Sequence, residues 1–236
     1  MNVNNHHVAI SGYSSLSHRT VDQLTVSGKA VVENVTCKHS FTCSGKVDVC
    51  SSTFHSAHIS GYAAIRQSTA AEISVSGHLR AEDCPNLGSI KASGQLHLVN
   101  CPQVDHIQSS GTLSLLHTKV VGNVKHTGSD LQITNSLIAG KLTCSDKKIV
   151  IHQSYVNEII VKKAESSFNI FCWNINIAGF KFFRHDGASS EQVVELDGPL
   201  CEVNTISFEE GRIGRVILKN GAKVLGPVLR GTVVEL

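Results

Sequence analysis

A Ser-Gly dipeptide recurs every 16 or 17 residues through the first half of this 236-residue chain. An internal repeat constrains a fold more than any other sequence feature, because each repeated unit has to pack on its neighbours. A period this short leaves no room for a helix-containing repeat and indicates coils made of strands. The dipeptides are Ser11-Gly12, Ser27-Gly28, Ser44-Gly45, Ser60-Gly61, Ser76-Gly77, Ser93-Gly94 and Ser110-Gly111, followed by Thr127-Gly128.

Apolar residues occupy fixed places around these glycines. Two before, two after and four after each glycine most residues are apolar, and the residues between them are mostly polar. This alternation predicts a strand on each side of a Ser-Gly turn, where glycine lets the backbone bend without a Cβ. Four residues before the glycine, the residue is apolar in every copy: Val8, Leu24, Phe41, Ala57, Ile73, Ile90, Ile107 and Val124.

A second corner is predicted six residues after the glycine, where a polar residue recurs. A further apolar residue follows nine or ten residues after the glycine, so a short third side completes each coil. The polar residues at the second corner are Asn34, Ser51, Gln67, Asp83, Asn100 and His117.

The sequence therefore predicts an all-β fold, a single-stranded parallel β-helix (β-solenoid) of about 12 three-sided coils of 16–17 residues each. The usual handedness of parallel crossovers makes it right-handed. We expect one domain over residues 1–236, with regular coils over 8–165. Wider, aromatic-rich coils cover 166–203, and short coils or a hairpin cap cover 204–236, with a turn at Asn220-Gly221.

Composition argues against several classes of function. The formal net charge of +2 and the pI near 8.1 are too mild to indicate nucleic acid or an anionic membrane as a partner. No apolar run approaches the roughly 18 residues of a membrane span, and the first residues do not resemble a signal peptide. We therefore expect a cytoplasmic protein whose eight cysteines are reduced, with non-classical secretion left open. Nothing in the sequence indicates a cofactor.

The pattern of apolar pairs separated by small turn residues resembles that of the bactofilins, bacterial cytoskeletal proteins with short-coil parallel β-helices. The most similar segment is Val216-Ile217-Leu218-Lys219-Asn220-Gly221-Ala222-Lys223-Val224-Leu225-Gly226. The resemblance covers most of the chain as a pattern and rests on no diagnostic motif. It implies a structural protein that polymerises end to end, so that the partner is a second copy of the chain.

Half of the chain's aromatic residues lie between Phe168 and Phe183. Aromatic residues and arginine dominate binding hot spots, so this segment is the candidate surface for a protein partner. The alternative interpretation is that these side chains fill wider coils or form a cap over the solenoid. The candidate binding residues are Trp173, Phe180, Lys181, Phe182, Phe183, Arg184 and His185.

Candidate metal and catalytic residues are less convincing. The group Cys37, His39, Cys43 and Cys50 lacks the paired Cys-x2-Cys spacing of structural zinc sites, and the repeat places Cys43 inside the coil, so no metal site is predicted.

Acidic residues do not gather as β-helix carbohydrate-active enzymes require, since acid-base chemistry needs groups a few ångströms apart. Arg66 and Glu82 occupy equivalent places on adjacent coils and should form a surface salt bridge. We therefore expect a non-catalytic structural or scaffold protein that self-assembles end to end. A protein-binding module, such as a bacterial effector using residues 168–185, and a carbohydrate-active enzyme remain the alternatives.

Overall fold

The computed structural model describes residues 6–128, 130–145, 148–162, 191–211 and 214–236, and the backbone of residues 176–177 and 180–181. Twenty-four strands form one sheet, and two short strands pair separately. The described residues contain no helix, and so none that could span a membrane. The predicted all-β solenoid is confirmed, with about 11 turns.

Each coil contributes a first strand after the Ser-Gly corner and one or two further strands after the second corner. In the first coils the strands are β1 (His7–Ile10), β2 (Tyr13–Val26), β3 (Lys29–Cys43), β4 (Lys46–Cys50), β5 (Thr53–Ile59), β6 (Tyr62–Arg66), β7 (Thr69–Val75), β8 (His78–Glu82) and β9 (Asn86–Ala92). The middle coils contain β10 (Gln95–Val99), β11 (Val104–Ser109), β12 (Thr112–Leu116), β13 (Lys119–Val120), β14 (Val124–His126), β15 (Asp130–Thr134), β16 (Leu137–Cys144), β17 (Lys148–His152) and β18 (Tyr155–Val161). Then follow β19 (Asn176–Ile177), β20 (Phe180–Lys181), β21 (Gln192–Asp197), β22 (Glu202–Phe208), β23 (Gly214–Lys219), β24 (Lys223–Val224), β25 (Val228–Leu229) and β26 (Gly231–Glu235).

All pairings in the large sheet are parallel and join equivalent places on adjacent coils. Lys46 pairs with Tyr62, 16 residues on, and His78 with Gln95, 17 residues on. The strand after the second corner skips a residue in its pairing, as between Cys37 and Ser40, which marks the third corner. The two corners that the repeat placed, at the Ser-Gly dipeptide and six residues after the glycine, are found there, and the register adds the position of the third.

The solenoid has about 11 turns, close to the predicted number. Strand β17 pairs directly with β21, and β18 with β22. Between them, β19 and β20 form an antiparallel pair of their own. Toward the C-terminus, β24 pairs in parallel with β22, so Asn220-Gly221 lies at a corner within a coil, between β23 and β24, and not in an antiparallel hairpin.

The second corner requires a left-handed backbone conformation. Its residues have φ between 46° and 53°, a region that most L-residues avoid and that Asn and Asp tolerate best. This requirement explains the polar residues that recur there, and we call it the left-handed corner. Its residues are His18, Asn34, Ser51, Gln67, Asp83, Asn100, His117, Asn135, Gln153 and Asn220.

The Ser-Gly corner needs glycine for a different reason, which is close approach of adjacent coils. A Cβ on Gly45 would lie 1.9 Å from the carbonyl oxygen of Gly28, and a Cβ on Gly61 would lie 2.0 Å from that of Gly45. None of these glycines has a positive φ. Stacked backbone, rather than backbone handedness, therefore restricts this position to glycine.

Inside the solenoid, equivalent apolar residues stack in rows and are almost completely buried. One such row contains Val47, Ala63, Leu79 and Leu96, all 0% exposed. Immediately after the left-handed corner runs a different row of small hydroxyl and thiol residues, which we call the buried hydroxyl row. Its members are Ser52, Ser68, Cys84, Cys101, Thr118, Ser136 and Ser154.

The hydroxyls of this row satisfy backbone groups that the corner would otherwise leave without partners. Ser68 Oγ accepts a hydrogen bond from the backbone N–H of Ser52 at 3.0 Å and donates to the Arg66 carbonyl at 2.7 Å. Ser154 does the same for Ser136 N–H and the His152 carbonyl. Each hydroxyl thus ties one coil to the preceding one.

Candidate functional site: the two end coils

The predicted aromatic surface lies almost entirely outside the described residues. This holds for Trp173, Phe182, Phe183, Arg184 and His185. Phe180 and Lys181 form β20, of which only the backbone is described, paired with β19. The role of this segment stays a prediction.

A row of aromatic and basic side chains follows the outer surface of the first strands. Lys46 Nζ lies 5.1 Å from the centre of the Tyr62 ring, and the Tyr62 and His78 rings stack at 4.9 Å with an interplanar angle of 19°. Lys29 similarly covers Tyr13 at 5.4 Å. Neighbours in the row cover both faces of the Tyr62 ring, whereas Tyr13, at the start of the row, is 74% exposed and has Lys29 over one face. These contacts stabilise the ladder.

A shallow groove of about 460 Å³ runs along the second side of the coils, which is the side that follows the left-handed corner. One wall is a row of small polar residues in register, Thr36, Thr53, Thr69 and Asn86. Thr69 Oγ1 donates to Thr53 Oγ1 at 3.2 Å, so these hydroxyls partly satisfy one another. Lys38, His55 and Asp105 also line the groove, each on a different coil.

Charged side chains on the lateral faces form pairs between coils. The predicted salt bridge is confirmed, with Arg66 Nε 3.2 Å from Glu82 Oε2. Arg80 also binds Glu82, and these two guanidinium groups, Arg80 first, hold the pKa of the Glu82 carboxyl below its usual value. The described residues contain no group of three or more His, Cys, Asp or Glu side chains close enough to hold a metal ion.

Three buried thiols, Cys37, Cys43 and Cys201, are poor nucleophiles. Burial raises the pKa of Cys43 to about 11 and raises the pKa of Cys37 and Cys201 as well. A thiolate is the reactive form of cysteine, so these three residues behave as small core side chains.

The C-terminal coil exposes an open strand edge and apolar side chains. Strand β26 pairs only with β23 among the described strands. Val233 is equivalent to the buried Val216 but is 46% exposed, and Leu236 is 75% exposed. Leu225 and Leu229 add to the same end. Unpaired N–H and C=O groups beside apolar side chains are a template for another strand.

The N-terminal coil is open in a complementary way. Strand β1 pairs only with the last part of β2, through residues 23–26. The earlier part of β2, before residue 23, pairs with β3 along one edge, and no described strand pairs with its other edge. Ser14 and Arg19 there are exposed, although they occupy the positions of the buried Ala30 and Val35.

Electrostatics at this end also involve Asp22, at the third corner of the first full coil. Its carboxylate bonds His6 Nδ1 at 2.5 Å and lies 3.7 Å from Lys38 Nζ. The hydrogen bond from His6 is the main reason that the pKa of Asp22 lies below its usual value. The first coil is therefore held in place by exposed polar contacts as well as by strand pairing.

Comparison with protein-family models, curated proteins and solved structures gave no match for this chain.

Sequence reasoning missed the charged residues at inward positions of the end coils. Arg19 follows the left-handed corner residue His18, and Glu235 lies in the last strand at the place of Leu218. The signal was present in the register, since Arg19 stands 16 residues before Val35.

Proposed function

We propose that this chain is a non-catalytic structural protein whose molecules assemble end to end into a continuous solenoid. The observation that carries the proposal is the pair of open end coils, with unpaired strand edges and the exposed Val233 in a row that is buried in the coils between the two ends. The pattern-level resemblance to bactofilins, which polymerise end to end, gives further support. A cytoplasmic location fits this role.

The two ends have complementary shapes. The first side of each coil follows the Ser-Gly corner, and the third side precedes the next Ser-Gly corner. At the C-terminal end β26 adds one more strand to the first side, while the last strand on the third side is β25. At the N-terminal end the chain starts on the third side with β1 and continues on the first side with β2. Placing β1 of the next molecule on β25 and β2 on β26 continues the parallel ladder on both sides.

Association through the lateral faces would have no unpaired edges of the large sheet's described strands to use. Within the solenoid the backbone N–H and C=O groups of each coil are used by the coils on either side, so the lateral faces present side chains only. Those faces carry paired charges and small hydroxyls. An interface between the unequal ends of two copies is heterologous, and it builds an open filament and not a closed dimer.

The test is light scattering on the 236-residue chain from low to high micromolar concentration, with two lysine variants. Val233→Lys places a charge inside the junction and should abolish the growth of mass with concentration. Val31→Lys, at a lateral residue with 37% exposure, is the matched control and should leave growth unchanged. A wild-type chain that stays monomeric at every concentration would refute assembly and turn attention to residues 168–185.

A further inference from the structure

We propose that Arg19 of one molecule and Glu235 of the preceding molecule form an ion pair inside the end-to-end junction and thereby fix its head-to-tail polarity. This inference rests on the proposed function. It adds which residues recognise the second copy and why one orientation is selected.

Arg19 stands where the rest of the solenoid has a small buried residue. Its equivalent in the next coil is Val35, 1% exposed, whose own equivalents form the buried hydroxyl row. In the isolated chain Arg19 is exposed and forms no salt bridge with a described residue. A guanidinium at an inward position calls for an acidic partner once another coil covers it.

Glu235 is the counterpart at the opposite end. Its row consists of apolar residues through the whole solenoid, including Leu196 and Leu218, which are 0% and 9% exposed. In β26 this row ends in a carboxylate that is exposed and has no salt bridge within the described residues. Each end coil therefore carries one charge in an otherwise uncharged interior, and the two charges have opposite signs.

The register brings these charges together when the ends join. With β2 of the next molecule on β26, Leu16 stacks on Glu235, because Leu16 and Leu218 belong to the same row. Arg19 follows three residues later, on the other side of the left-handed corner at His18. On the second side, no described strand lies between β24 of one molecule and β2 of the next. The long Arg19 side chain therefore has room to reach the Glu235 carboxylate.

The pair selects orientation more than it adds affinity. Burying two ions costs about as much as their attraction returns, whereas one buried ion without its partner is strongly unfavourable. A tail-to-tail junction would bury two Glu235 carboxylates, and a head-to-head junction two Arg19 guanidinium groups. Head-to-tail contact is the arrangement in which both charges are compensated.

Inward charges at a sheet edge have a second interpretation, in which they prevent stacking altogether. The two interpretations predict opposite effects for Glu235→Leu. If the charge opposes stacking, this apolar variant should assemble at lower concentration than the wild type. If Glu235 compensates Arg19, the variant leaves the guanidinium unpaired and should require at least tenfold higher concentration.

A charge-swap series on the full chain completes the test, with mass measured by light scattering and folding checked by circular dichroism. Arg19→Glu and Glu235→Arg should each lose assembly. An equimolar mixture of the two variants should recover it as alternating filaments, because every mixed junction pairs opposite charges, and the double variant should recover it alone. Lys91→Glu, at an exposed lateral residue, is the control and should behave as the wild type.

The outcomes separate the two proposals. Wild-type assembly that persists in both single variants, or a double variant that does not recover, overturns the ion pair while end-to-end assembly stands. Absence of wild-type assembly overturns both.

Discussion

At the scale of single residues, two backbone requirements explain most of the repeat. One is the left-handed corner, whose residues keep φ near 50° from His18 to Asn220. The other is the Ser-Gly corner, where adjacent coils approach too closely for a Cβ. The polar identity of the left-handed corner could be predicted from the sequence, because a polar residue stands at a fixed distance after each glycine. Its conformation could not, because Ser51 and Gln67 are not residues that favour this region.

Asn100 tests the left-handed corner. Its φ is 53°, and its side-chain amide donates to Asp83 Oδ1 at 3.1 Å. Asn100→Val should lower the free energy of unfolding by about 1–2 kcal/mol, because a β-branched residue is disfavoured in this conformation. Asn100→Gly, which removes the same exposed hydrogen bond without the strain, should cost clearly less. Chemical denaturation measures both, and equal losses would contradict the role of backbone strain.

His126 should make the stability depend on pH. It is fully buried in a row otherwise filled by residues such as Val75, and burial lowers its pKa below the usual 6.5, opposed in part by Asp130. The unfolded chain therefore takes up a proton at a higher pH than the folded chain does. Stability should be greatest above about pH 7 and should fall as the pH drops through 6.5 toward the lower folded pKa.

The pH effect is measured by denaturation of the wild type and of His126→Leu at several pH values. The variant should lose less stability between about pH 7 and about pH 5 than the wild type does. The same substitution at His58, an exposed residue, serves as the control and should leave the slope nearly unchanged. A slope that His126→Leu does not alter would show that other groups dominate acid sensitivity.

At the scale of elements, the coil is the unit, and each coil depends on its neighbours. The apolar rows were predictable because period-2 alternation marks inward residues directly. The buried hydroxyl row was not, because an isolated Ser or Thr after a polar corner looks like an exposed turn residue. Its burial follows from the corner geometry, which turns residues such as Ser52 and Ser136 inward to serve the backbone.

Ser136→Ala tests the buried hydroxyl row. The Ser136 hydroxyl accepts from Thr118 N–H at 3.1 Å and donates to the Thr134 carbonyl at 2.8 Å. Removing it leaves a buried N–H without a partner, which should cost about 1–3 kcal/mol of unfolding free energy. Ser114→Ala, on the outer surface of β12, is the matched control with an expected change below about 0.5 kcal/mol. Similar values for the two variants would argue against the bridging role.

At the scale of the whole molecule, the structure is a narrow rod roughly 50 Å long, since about 11 coils are spaced about 4.8 Å apart. Its ends differ from its sides, because among the described strands of the large sheet the unpaired strand edges lie at the two ends. End-to-end assembly could be proposed from the repeat alone, but the matching steps at β1 and β26 and the charges of Arg19 and Glu235 emerge only with the strand register.

Electron microscopy of the 236-residue chain at high micromolar concentration tests the assembly most directly. End-to-end stacking predicts polar filaments one solenoid wide, with an axial repeat of roughly 55–60 Å for one molecule and its junction. Single short rods, or closed dimers whose number does not change with concentration, would contradict it.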